Sequence, residues 1–169
     1  MPRPEGWWSA PIPGKELGVN GVYRLTPDGT LHLVVDDFAL PNGLAFAPDE
    51  SILYIDDSAH KHIRAFDVRP DGTLTNSRIL VTMASEEPGV PDGMKVDLQG
   101  NVFCTGPGGV WVCRPSGEVL GRILLPELPA NLDGARTAAS SSSRRARVCT
   151  GYLPRRAVRC WVDVSVPKI

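Results

Sequence analysis

No apolar run in this chain approaches the roughly 18 residues that a membrane-spanning helix needs, and the opening MPRPEGWWSAPIPGKE lacks the apolar block of a secretory leader. The expectation is a soluble, cytoplasmic protein with no membrane partner. Cysteine is scarce too: Cys104, Cys113, Cys149 and Cys160 include no CxxC pair, so a structural zinc site or a dithiol redox centre has no spacing to rest on. Cys104 and Cys113 are expected as buried thiols and the other two as reduced ones. Acids are nearly missing from one end, where residues 134–169 carry eight Lys/Arg against the single acid Asp163, while residues 1–133 carry ten Lys/Arg and eighteen Asp/Glu. A formal charge of −1 conceals this switch.

What is plentiful is glycine and proline, 17 and 16 of 169 residues, spread along the chain among 42% hydrophobic residues. Frequent turn formers between short apolar runs favour many strands over long helices, so the class is all-β. One unit recurs: GVYRLTPDGTL at 21–31, HIRAFDVRPDGTL at 62–74 and GVWVCRPSGEV at 109–119 each alternate apolar residues, then turn at a Pro and a Gly. Measured at Pro27, Pro70 and Pro115 the spacings are 43 and 45 residues. A period of about 40–45 residues is that of propeller blades, each a four-stranded antiparallel sheet.

Strands follow within each period. GLAFAP, SILYID, HIRAFDV and RILVTM make one blade, and GMKVD, NVFCTG, GVWVCRP and GRILLP the next. GVYRLTP and TLHLVVDD stand before them as the last two strands of an incomplete blade. The expected fold is a partial six-bladed β-propeller of about two full blades plus part of a third.

Asn42 in LPNGLAF and Asp92 in VPDGMKV each stand immediately before the first, axis-lining strand of a blade, and Pro129-Ala130-Asn131-Leu132 begins a third element alike. Gly43 and Gly93 then allow close backbone approach. Asn-Gly and Asp-Gly are also ordinary turn formers, and on spacing alone that is the simpler reading. The other reading is a set of hard oxygen ligands, suited to Ca²⁺, Mg²⁺ or Mn²⁺, or to Zn²⁺ with water in the open positions.

PNGLAFAPDESILYI, HIRAFDVRPDGTLTNSRI, VPDGMKVDLQGNVF and GGVWVCRPSGEVLGRI, in this order over roughly residues 15–132, resemble the gluconolactonase family, which includes senescence marker protein (regucalcin) and luciferin-regenerating enzyme. The resemblance implies a six-bladed propeller of roughly twice this length, one divalent cation (Ca, Zn, Mg or Mn) in the channel, and hydrolysis of a sugar lactone in carbohydrate metabolism. It implies Asn42 and Asp92 as two metal ligands, with Asp92 also catalytic by orienting or deprotonating water. A family Glu ligand from an earlier blade has no counterpart, since Glu5 and Glu16 precede no inner strand. The activity is therefore expected to need the missing blades, the alternative being a non-catalytic propeller fragment or interaction module. Sugar-contacting residues are not assigned.

The expected organisation is an irregular segment at 1–20, with Trp7-Trp8 as the remnant of a loop, a partial propeller at 21–132, and a basic, out-of-frame or disordered tail at 133–169. Arg144-Arg145-Ala146-Arg147 and Arg155-Arg156 would also serve as a nucleic-acid patch, but out-of-frame sequence explains both the charge switch and the lost period, so no nucleic-acid partner is expected. A partial ring leaves apolar blade faces bare and invites self-association. His60 and His62, two apart on a strand edge and read without a third ligand, are expected on a solvated turn, His32 on a strand surface. The Asp56-Asp57-Ser58 run is expected to satisfy turn amides.

Overall fold

The computed structural model describes residues 6–9, 18–134, 144–150 and 161–166. Among these residues there are strands and no helix, in four antiparallel sheets that follow chain order. The first holds β1 (Gly6–Ser9), β2 (Val22–Leu25) and β3 (Leu31–Val35). Two four-stranded sheets follow: β4 (Pro41–Phe46), β5 (Ile52–Asp57), β6 (His62–Val68) and β7 (Leu74–Thr82), then β8 (Met94–Val96), β9 (Val102–Gly106), β10 (Gly109–Cys113) and β11 (Val119–Ile123). The last comprises β12 (Pro129–Gly134), β13 (Arg144–Thr150) and β14 (Trp161–Val166).

The recurring Pro-x-Gly unit is one turn used three times. Gly29, Gly72 and Gly117 have φ of 88°, 77° and 88°, a region that glycine enters without a Cβ clash. Their amides donate to the carbonyls of Thr26, Arg69 and Arg114 at 2.9, 2.8 and 2.9 Å. Asp28 and Asp71 accept the amides of Thr30 and Thr73 at 3.0 and 2.9 Å, so the acid of each Pro-Asp-Gly closes its own turn.

Alternation along the strands divides the core into three, one at each sheet-to-sheet interface. Leu53 and Ile55 of β5 pack with Val22, Phe38 and Phe66 between the first and second sheets. Tyr54, on the opposite face of the same strand, packs with Met94, Val102, Cys104 and Trp111 between the second and third. Val110 of β10 then meets Leu132 between the third and fourth. Burying each such side chain contributes about 1.5–3 kcal/mol, so the blades stand by packing on one another. The buried, unbridged thiols of Cys104 and Cys113 belong to this packing, as expected.

The innermost strands β1, β4, β8 and β12 lie side by side. Their first residues therefore gather at one end of the assembly, which positions the site.

Both flanking segments contain strands among their described residues. Within 1–20, Gly6–Ser9 pairs antiparallel with Val22–Leu25, Trp7 opposite Arg24 and Trp8 opposite Tyr23, so the tryptophan pair lies in a strand rather than a loop. Within 133–169, β13 pairs with β12 and with β14. Period-two alternation is present in WVDVSV and RARVCT, and the density of arginine hides it from a reading guided by charge. Cys160 and the residues around Arg155-Arg156 lie outside the described residues.

Candidate functional site

Asn42 sits inside an irregularity of the β4–β5 ladder, where the register shifts between Pro41 and Leu44. A bulge re-aims the side chain it carries and recurs beside functional sites. The segment is fastened from β5: Asp57 accepts the amides of Ala39 and Leu40 at 2.9 and 3.2 Å, and the Ser58 amide donates to the Leu40 carbonyl at 2.9 Å. Asp92 is held from β9 in the same manner. Thr105 Oγ1 accepts the amides of Asp92 and Gly93 at 3.0 and 3.1 Å, and the Thr105 amide donates to the Gly93 carbonyl at 2.9 Å.

Two contacts then join the segments. Ser58 Oγ donates to the Pro91 carbonyl at 2.5 Å and accepts from Asn42 Nδ2 at 3.3 Å. The Asn42 side-chain amide also hydrogen-bonds the Asp92 carboxylate. The structure thus brings the two sequence-predicted residues together from separate blades.

Glycine makes this approach sterically allowed. A Cβ on Gly43 would stand 2.1 Å from the Asp92 carbonyl oxygen and 2.5 Å from Asp56 Oδ2, so no larger residue fits between the inner strands. A Cβ on Gly93 would meet Asn131 Oδ1 at 2.3 Å and its Cα at 2.5 Å. The third repeat, Pro129 to Leu132, accordingly abuts the second as the second abuts the first.

Desolvation dominates the electrostatics of the acids here, Asp92 and Asp56. Asp92 is half-buried, and desolvation holds its carboxyl above the usual range despite the bond from Asn42. No Lys, Arg or His among the described residues forms an ion pair with it. Behind it lies Asp56, fully buried and pushed up to about 8, chiefly by desolvation and against a bond from the Gly43 amide. Asp56 Oδ2 is 3.6 Å from Cys104 Sγ, and Oδ1 has no hydrogen-bond partner. The Asp92 carboxylate with the Asn42 amide oxygen nearby, and no ion-paired base among the described residues, suits a hard divalent cation.

Sequence reasoning treated Asp56 and Asp57 alike as turn acids. That holds for Asp57, which caps four backbone amides, those of Ala39, Leu40, Ala59 and His60. Asp56 points instead into the interface between the second and third sheets, on the side of Tyr54. Adjacent residues of a buried strand must face opposite ways, and this was the signal available. Thr105 carried none.

His60 lies on an exposed turn as expected, whereas His62 is part-buried in β6. Asp57, three residues before His60 and opposite His62 in the β5–β6 register, supplies a third donor. His32 is exposed on β3 as expected. A groove of about 310 Å³, lined in part by Val35, Asp37, Arg64 and Phe66, holds neither Asn42 nor Asp92.

These sheets and their shared end define a β-propeller segment with an oxygen-rich mouth, and comparison with known proteins gives the family. The SMP-30/Gluconolactonase/LRE-like region matches residues 8–132, and the chain belongs to that family. It is 41% identical to a gluconolactonase of Zymomonas mobilis over 116 residues, covering 64% of this chain and 33% of that protein. It is 34% identical to an L-arabinolactonase of Azospirillum brasilense, covering 75% and 44%. Among solved structures, a gluconolactonase from Xanthomonas campestris superposes with a TM-score of 0.69 at 35% identity, over 80% of this chain and 43% of that one. The chain spans a third to under half of the length of these relatives.

Proposed function

We propose that this chain carries part of the catalytic centre of a divalent-cation-dependent sugar-lactone hydrolase, with Asn42 and Asp92 as two ligands of the cation. The observation that carries the reading is their convergence: two oxygen-bearing side chains fifty residues apart, one on β4 and one just before the neighbouring β8, bonded to each other. The gluconolactonase and L-arabinolactonase similarities supply the substrate class.

A bound cation supplies a Lewis acid for the lactone carbonyl. Asn42 contributes an amide oxygen, and its tie to Ser58 fixes the amide plane. Asp92 contributes the anionic ligand, held in place by Thr105 through its own backbone. It also orients the attacking water and accepts a proton from it as the oxygen bonds to the carbonyl carbon. Collapse then breaks the ring ester bond, the ring oxygen takes a proton, and a hydroxy acid leaves.

Acid release from glucono-δ-lactone by the whole chain, followed with and without chelator, tests this reading. Turnover that a divalent cation restores, and that Asp92→Asn abolishes, supports it. A folded chain that neither turns over lactone nor binds a cation supports the second reading, a non-catalytic propeller segment. That alternative draws on the fraction of each relative the chain spans.

A further inference from the structure

We propose a second cation site, separate from Asn42 and Asp92, formed by Asp57, His60 and His62 at the β5–β6 turn and suited to a borderline transition ion such as Zn²⁺. One ring nitrogen of each histidine and one Asp57 oxygen lie within 4.8 Å of one another. Local backbone geometry produces this grouping. Asp57 and His62 are directly opposed across the β5–β6 ladder, and Lys61 between the histidines has φ of 51°. The left-handed residue turns His60 back over the strand pair, so the two imidazoles stack with centroids 5.5 Å apart and planes 13° from parallel.

Each donor is prepared for a ligand in a different way. Asp57 spends most of its acceptor capacity on backbone amides, three on Oδ1 and one on Oδ2. That rigid hold leaves one direction on Oδ2, which faces His60 Nδ1 at 3.0 Å. His62 Nε2 is buried and has no hydrogen-bond partner, and desolvation lowers the affinity of the His62 ring for a proton. A neutral imidazole is the form that ligates a metal. The side chain of His60 is 60% exposed, which leaves an entry path and room for water in a fourth position.

The donor chemistry separates the two sites. Two imidazoles and one carboxylate are the ligand types of Zn²⁺, Co²⁺ or Ni²⁺, whereas amide and carboxylate oxygens favour harder ions. Ser58 links them in the chain: its neighbour Asp57 belongs to the turn site, and its own hydroxyl touches Asn42. A cation in the turn would therefore brace the strand end from which Asn42 is held.

The experiment uses the whole chain carrying Asp92→Asn, which weakens the oxygen site, with Zn²⁺ itself as the probe. Binding is read by calorimetry and by imidazole NMR. The chain has three histidines, so His32 serves as an internal control. Expected are a retained zinc site, shifts of the His60 and His62 ring signals with His32 unmoved, and a loss in His60→Gln/His62→Gln exceeding the about 10–100-fold typical of losing an outer-shell partner. Unmoved imidazole signals at stoichiometric zinc would overturn the proposal, as would undiminished zinc binding in the double variant. The ring signals of the Asp92→Asn chain need no histidine replacement, so a misfolded double variant does not decide the outcome.

Discussion

The Asn42 side-chain amide of β4 hydrogen-bonds the Asp92 carboxylate at the head of β8, and Gly43 allows it by leaving no atom between the two strands. The relationship is one of backbone spacing as much as of side-chain chemistry. The inner strands can be this close only where a Cβ is absent.

Replacement of Gly43 by Ala should therefore destabilise the protein by more than the about 1–3 kcal/mol typical of overpacking, because the inserted atom meets backbone that cannot rotate away. Gly18→Ala is the control, with nothing within 4 Å of the added atom. Urea midpoints for the two variants make the comparison. Equal midpoints would show that the strands part easily.

Stability should depend on pH through Asp56. Its folded carboxyl sits at about 8 against an ordinary 3.8, so between these values the folded state holds a proton that the unfolded state has lost. Stability attributable to this group is then full below about pH 4, falls as pH rises to about 8, and levels off above. In chelated protein, Asp56→Asn should remove that slope and gain on the wild type as the medium becomes alkaline. Parallel pH profiles for the two proteins would contradict this.

Leu31 and Leu33 of β3 are 57% and 48% exposed and stand on alternate positions of one strand face. Bare apolar surface of this kind drives association. The wild-type chain should elute from a sizing column above monomer size, and Leu31→Lys with Leu33→Lys should shift it toward the monomer. An unchanged elution volume would place the contact elsewhere.

Much of this was legible in the sequence for physical reasons. Turn chemistry is local, so Pro27, Pro70 and Pro115 marked their turns, and the period between them marked the blades. HIRAFDV coincides with β6, His62–Val68, because alternating β-branched and aromatic residues have few other uses. Asn42 and Asp92 stood out because each precedes a glycine whose reason is steric. Asp56 was not legible as a buried acid, since its environment is built by Cys104, Gly43 and Asp92 from other strands. Nor was the Asp57, His60 and His62 grouping, which depends on cross-strand register and on the left-handed Lys61. The strands at Gly6–Ser9 and Arg144–Thr150 went unread because proline and arginine around them outweighed a short alternation.

Calorimetric titration of the chelated chain with Ca²⁺, Mg²⁺ and Mn²⁺, repeated on Asn42→Ala and Asp92→Asn, tests the central claim most directly. The account predicts one site for at least one of these ions in the wild type, weakened beyond about tenfold, or 1.4 kcal/mol, in each variant. Binding of the same strength in all three proteins would mean that Asn42 and Asp92 hold each other and nothing else.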